Sequence, residues 1–517
     1  MSTNTIIILV AFVAYMALMI MIGALNAKSK NNEDYFLAGR GLGSWTAALS
    51  AQASDMSGWL LMGLPGAIYF AGTGEVWIAI GLLIGTVLNW YLVARRLRKY
   101  TIVANNSLTI PSFFENRFHD KKGALKIVSS IIIIIFFAVY TASAFSSGAK
   151  LFANVFGAEG NADTMYLVGL IIAAVVILVY TFLGGFKAVC YTDFIQGMLM
   201  LVAILAVPII MYIGMTKDFG SLSAALGEKG VADPAGYLSL FKDSEGNPIT
   251  FVSVISNLGW ALGYFGMPHI LVRFMAIKSD KEVKKSRVIA IIWVILSLGA
   301  ACLVGLLARG YLTEVLDETT KETVFIKSIL QIFDGNFVLV FIGGIFLCGI
   351  MAAVMSTADS QLLVTASAVS EDMYKGAINK KASEKSALWV GKIAVVVVAI
   401  IAFVIALNPQ SSIMGLVSDA WAGFGAAFGP IVLLSLFWKR FNLAGAVSGM
   451  AVGAVTVILW DYIPMIGGAT LGSVTGLYSL VVGFPLALIV AVVVALITKA
   501  PSKEIQDEFD KVKTVEI

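Results

Sequence analysis

Thirteen windows of about twenty mostly apolar residues limit what this chain can fold into. They lie near 5–27, 43–71, 76–94, 127–153, 164–184, 189–215, 251–277, 288–311, 336–368, 386–407, 412–438, 443–460 and 473–498. A helix rises about 1.5 Å per residue, so each window is long enough to cross the ~30 Å hydrocarbon core of a bilayer. In lipid every backbone N–H and C=O must find its partner inside the protein, which makes helices the solution for runs of this length. The expectation is an all-α membrane protein of about 13 transmembrane helices. Composition agrees: 59% of the 517 residues are hydrophobic and 13% charged, against about 25% charged in soluble domains. The partners this implies are the lipid bilayer and a small-molecule solute, with no nucleic acid. Cys190, Cys302 and Cys348 fall in or beside apolar runs without metal-ligand spacing, and two histidines are too few for a histidine-rich metal site.

Charge sets the orientation. Residues 1–27 do not read as a signal peptide, because no positive charge precedes the apolar run; Lys28 and Lys30 follow it. With the N-terminus outside, 29 of the 36 lysines and arginines fall on the cytoplasmic side, Arg273 and Lys392 counted among them. Lys150, Lys217, Lys229, Lys242, Arg309, Lys321 and Lys327 remain outside. That bias is the positive-inside pattern of an odd number of spans with a cytoplasmic C-terminus. The segment 322–334 reads as a short amphipathic helix on the outer surface, the loop 216–250 as a short helix or lid, and the tail 499–517 as solvated.

Two spans are interrupted. Gly58, Gly63, Pro65 and Gly66 weaken the second, and Gly259, Gly263, Gly266 and Pro268 the seventh. The five-span offset divides the chain into an extra N-terminal span (5–27), a first five-helix repeat (43–215), a second (251–438), two peripheral spans (443–498) and the tail. Because five is odd, the second repeat enters the membrane inverted, and paired broken spans point to a transporter binding site. The competing reading is that these glycines serve close helix packing.

The second span also carries Asp55 in the otherwise uncharged stretch 44–69. An ionised carboxylate at that depth costs roughly 2.5–3.5 kcal/mol on insertion scales, and a bound cation is the simplest compensation. In the ninth span Ala353, Ser356, Thr357 and Ser360 recur at helical spacing, with Asp359 at the edge of the same face. Hydroxyls and freed carbonyls are hard ligands suited to sodium, although Ser and Thr also bond back to their own helix. Asp193, at the start of the sixth span, reads either as a helix cap or as a partner of Asp359 and Ser360 around a second cation.

The segments ALSAQASDMSGWLLMGLPGA, GWALGYFGMPHILVRFMA, AAVMSTADSQLLVTASAVSEDMY and SDAWAGFGAAFGP closely resemble the bacterial sodium/proline symporters, a branch of the sodium/solute symporter family. The resemblance spans about residues 5–505. It implies a LeuT-type fold with one extra helix before a ten-helix core, located in the bacterial cytoplasmic membrane. It implies co-transported Na+ held by backbone oxygens of Ala53, Met56 and Ala353 and hydroxyls of Ser356 and Thr357. Asp55 is the implied sodium-linked carboxylate, Ser57 the junction of ion and solute, and Arg40 a coupling residue at the inner mouth. Tyr140, Trp260, Tyr264 and Pro268 are the implied L-proline set. The solute's chemistry suits these residues: amides near Ser57 and Gly58 can meet its carboxylate, and aromatic faces its ammonium. The same fold could couple protons instead, or carry pantothenate or another small carboxylate or amino acid. A sensor, a channel or an enzyme is disfavoured: no signalling domain, re-entrant filter, nucleophile–base set or cofactor loop is evident.

Overall fold

The computed structural model describes residues 2–26, 32–157 and 161–516; Lys28 and Lys30, used above for orientation, lie outside the described residues. Eleven helices among the described residues are long and apolar enough to cross a membrane. In chain order, with shorter elements where they matter, they are α1 (Thr3–Asn26), α2 (Ser44–Asp55), α3 (Trp59–Ala71), α4 (Thr73–Val103), α5 (Ile110–Phe118), α6 (Ala124–Phe156), α7 (Ala162–Leu183) and α8 (Phe186–Phe219). There follow α9 (Phe251–Phe265), α10 (Pro268–Ala276), α11 (Asp280–Tyr311), α12 (Val324–Ile332), α13 (Phe337–Gly376), α14 (Glu384–Ile405), α15 (Ile413–Phe437), α16 (Leu443–Tyr462), α17 (Ser479–Ile497) and α18 (Lys503–Lys511).

Helix starts follow local chemistry. Side chains of Ser279, Asn336, Ser383 and Ser412 each accept a backbone N–H from the first turn of α11, α13, α14 and α15. That satisfies donors the helix itself leaves open. The second and seventh windows, by contrast, are not continuous helices. The α2/α3 pair parts at Met56–Ser57, and the α9/α10 pair at Gly266–Met267 after a 3₁₀ stretch over Gly259–Phe265. Both breaks sit in the middle of the bundle, α2 packed against α8, α10, α11 and α13. Outside this core, α1 packs on α8 and α13, and α16 and α17 pack on each other and on α15.

Four expectations need correction. The tail is not simply solvated: Ile505, Phe509 and Val512 are buried. Phe509 packs edge-on to Tyr100 and under Arg96 and Arg117, while Glu508 meets His119 at 3.0 Å and Asp510 pairs with Lys439. Segment 322–334 does form a helix, but Val324, Phe325, Ile326, Ser328 and Ile329 are buried, so it plugs into the bundle rather than lying on it. Asp193 is no cap: α8 begins seven residues earlier, at Phe186, and Asp193 is fully buried. Arg273 is not a loop charge, because it lies inside α10 and is 1% exposed. In each case periodicity or proximity to a span end gave no measure of what packs from elsewhere in the chain.

Candidate functional site

The break after α2 creates the site. A continuing helix would direct the Ser57 N–H to the Ala53 carbonyl; here it bonds to the Asp55 carbonyl at 3.0 Å. Likewise Leu60 N–H bonds to Ser57 rather than to Met56. The carbonyls of Ala53 and Met56 therefore lose their helical donors. That of Ala53 accepts the Ser356 hydroxyl at 2.7 Å and the Thr357 hydroxyl at 3.5 Å, both from α13. Ser356 also lies 3.4 Å from the Ala353 carbonyl. Four of the five oxygen-bearing residues expected to hold sodium, Ala53, Ala353, Ser356 and Thr357, thus converge where α2 ends against α13. Hydroxyls can turn their lone pairs inward, so this donor set fits a small hard cation. Met56 immediately follows α2 with non-helical backbone.

Asp55 lies two residues beyond Ala53 and is fully buried. Its Oδ2 accepts the Tyr264 hydroxyl at 2.7 Å, and its Oδ1 has no hydrogen-bond partner. Its carbonyl accepts the Tyr140 hydroxyl at 3.3 Å and the Trp59 indole N–H at 3.0 Å. The structure thus brings Asp55, Tyr140 and Tyr264 to one point, with α6 and the 3₁₀ turn of α9 facing the break. Gly58 is required there by close approach: a Cβ would stand 2.1 Å from Ser147 Oγ of α6. The helix-packing reading of the glycine is therefore also correct; one residue serves both the break and the contact.

Trp260 stands one ring further away. It stacks on Tyr478 at 5.4 Å, its carbonyl accepts the Trp421 indole N–H at 2.8 Å, and Trp421 meets Tyr264 edge-on at 4.9 Å. Trp421 and Tyr478 were missed in the sequence, though Trp421 lies inside the quoted SDAWAGFGAAFGP motif. Pro268 opens α10 and borders a small cavity shared with Phe186, Val272 and Leu363.

Beside the ion site lies a second polar cluster. Asp193 Oδ2 accepts the hydroxyls of Ser50 at 2.7 Å and Ser54 at 3.1 Å. Ser360 contacts Ser54 at 3.1 Å and donates to Asp359 Oδ1 at 3.3 Å. So Asp193, Asp359 and Ser360 do meet. The positive group among them is Arg273, which donates to Asp193 at 3.1 Å, to Ser360 at 2.5 Å and to Ser50 at 3.1 Å. No local signal in the sequence marks it, since an arginine five residues after the Pro268 break could equally face the cytoplasm.

Arg40 lies at the basic end. Its guanidinium donates to the Met275 carbonyl at 2.8 Å, the Ser107 carbonyl at 2.8 Å, Thr101 at 3.1 Å and Asn106 at 3.0 Å. One side chain therefore ties the end of α10 to the end of α4 and the loop after it. Burial pulls the Arg40 group down to about 10, so it stays charged at neutral pH.

The sodium:solute symporter family model matches residues 35–453. The sodium/proline symporter of Escherichia coli K12 is 43% identical over 507 residues, covering 97% of this chain and 95% of that protein. The osmoregulated proline transporter OpuE of Bacillus subtilis 168 is 43% identical over 498 residues, covering 96% of each. A Staphylococcus aureus sodium/proline symporter is 42% identical over 508 residues, covering 97% of this chain and 95% of its own. Among solved structures, a substrate-bound outward-open Na+-coupled sialic acid symporter superposes with a TM-score of 0.76 at 18% identity, over 96% of this chain and 99% of that one. MhsT in complex with L-phenylalanine follows at 0.53 and 14%, over 88% and 98%. These neighbours have the LeuT-type fold, which this chain shares, and the chain belongs to the sodium:solute symporter family.

Proposed function

We propose that this protein imports L-proline across the bacterial cytoplasmic membrane, driven by sodium, through alternating access. The observation that carries the reading is the Ala53 carbonyl, freed by the break at Met56–Ser57 and met by the Ser356 and Thr357 hydroxyls. Sodium is held there by Ala53, Met56 and Ala353 carbonyls and the two hydroxyls. Its charge neutralises Asp55 and fixes the end of α2 against α13. Proline binds next to it, its carboxylate at the amides of Ser57 and Gly58 and its ring and ammonium toward Tyr140, Tyr264 and Trp260. Pro268 sets the break below this site, and Arg40 seals the basic end until the solute is released. Two relatives more than 40% identical over nearly their whole length bear proline-transporter names, which supports proline over pantothenate or another small carboxylate.

The frame for this cycle is 13 spans, counting each broken pair as one, with the N-terminus outside, the C-terminus inside, and residues 43–215 and 251–438 as inverted repeats. The breaks in the second and seventh spans, five apart, support it. One charge moving through 100 mV contributes about 2.3 kcal/mol, roughly fiftyfold accumulation before any sodium gradient is counted. A second sodium at Asp193, Asp359 and Ser360 is a further reading. Two carboxylates face one guanidinium there, and Asp193 Oδ1 and Asp359 Oδ2 lack partners, leaving room for one more positive charge.

Purified protein in liposomes tests the proposal. Labelled proline should accumulate only with an inward sodium gradient, saturate as a single site, and resist competition by pantothenate. Equal uptake under a proton gradient without sodium would overturn the coupling; accumulation of another solute in preference would overturn the substrate.

A further inference from the structure

At the basic end of the bundle, α7, α13 and α14 enclose a groove of about 430 Å³ that the transport cycle does not use. Its walls are Phe182, Leu363, Ala366, Leu388 and Val395. It opens on the face that carries the exposed side chains of Phe182, Leu388, Trp389 and Ile393, the side a membrane protein turns to lipid. Two lysines of α14 line it, Lys385 and Lys392. Seven residues apart, they share one helix face. Lys392 sits about 12 Å along α14 from its start, deep for a charge unless an anion meets it. Neither ammonium pairs with a carboxylate among the described residues. Lys392 Nζ lies over two rings, 5.9 Å from the Phe182 centroid and 5.5 Å from that of Trp389. The two acidic side chains at the rim, Glu371 and Glu384, are both engaged by Lys375.

An apolar trough open to the bilayer, lined by two lysines that make no ion pair among the described residues, suits one occupant: acyl chain below, phosphate above. We propose that this groove binds an anionic phospholipid, its phosphate between Lys385 and Lys392 and a chain along Phe182, Leu363 and Leu388. The basic residues select the anionic headgroup, and the lysine stems lie along the chain while the ammonium groups reach the phosphate. Because the groove joins α13 to α7 and α14, an occupant steadies the helix that carries Ser356 and Thr357.

Native mass spectrometry of the full-length protein, delipidated and titrated with phosphatidylglycerol or phosphatidylcholine, tests this. The expected result is one phosphatidylglycerol retained at least fivefold more tightly than phosphatidylcholine. The preference should be lost in the Lys385→Gln/Lys392→Gln variant and kept in Lys392→Arg. Leu388→Trp, which fills the trough and leaves both charges, should also expel the lipid. Sodium-dependent proline binding measured on the same samples shows that each variant is folded. Equal retention of the two lipids, retention unchanged in the folded double glutamine variant, or displacement by inorganic phosphate would each overturn the proposal.

Discussion

At the scale of single residues, the site turns on what each carboxylate has for company. Asp55 has one tyrosine hydroxyl and an open oxygen; Asp193 has two serines and an arginine. Among the described residues Asp55 faces no cationic side chain, whereas Asp193 pairs with Arg273 at 3.1 Å. Asp55→Asn should therefore leave folding intact and raise the sodium concentration for half-maximal proline uptake by tenfold or more, as expected if a charge-assisted interaction of about 1.5–3 kcal/mol is removed. Sodium titration of uptake in liposomes measures it, and an unchanged sodium requirement would refute the role. Asp55 was legible in the sequence because a lone charge in an apolar span is conspicuous. The Ser356–Thr357 stripe was legible from its spacing. Arg273 was not, because a charge five residues beyond a break looks the same whether it faces solvent or a buried aspartate.

At the scale of elements, a buried carboxylate ties several elements together at the end opposite Arg40. Glu322, just before α12, is buried and pairs with Lys150 of α6 at 2.7 Å. It also accepts the N–H groups of Ile413 and Met414 at 2.9 and 3.0 Å and the Ser412 hydroxyl at 2.9 Å, so it caps α15. Burial alone would push its carboxyl up, but Lys150 and these donors outweigh that and hold it below the usual 4.5. A depressed carboxyl stabilises the folded form above its ordinary value and loses that contribution as pH falls through the depressed one. The latch is therefore intact from pH 5 upward and fails only in stronger acid. Removing one partner of a buried pair costs about 3–5 kcal/mol. Glu322→Ala and Lys150→Met should each lower thermal stability in detergent strongly, the double variant by less than their sum, with little pH dependence between 5 and 8. Additive losses would mean that the two groups do not act together. The helix at α12 was legible from its amphipathic pattern; the plug it forms was not, because the surfaces it fills come from α3, α8, α11 and α13.

At the scale of the whole molecule, the proposed 13 crossings would put the two termini on opposite sides. The three native cysteines are free and buried, which gives a quiet background for labelling. Ser2→Cys should react with a membrane-impermeant maleimide in intact cells, and Lys513→Cys only after permeabilisation. Labelling of both from the same side would require an even count and overturn the 13-span frame. The docked tail belongs to this scale as well. Its alternating Lys, Asp and Glu suggest a solvated tail, yet Ile505 and Phe509 are four apart on one face of α18, and Phe509 seats it on Tyr100.

Taken alone, the chain's order of apolar windows, glycine–proline breaks and one stranded aspartate determined a helical membrane bundle, the places where two of its helices part, and a buried carboxylate at the first of them. Those are local properties: lipid leaves a buried charge or a bent helix few ways to be satisfied, so each one shows in its own neighbourhood. Which groups answer them was decided only by tertiary structure. Tyr264 on Asp55, Arg273 on Asp193, Trp421 behind Tyr264 and Glu322 on Lys150 join residues more than seventy positions apart, and separation along the chain carries no record of distance in space.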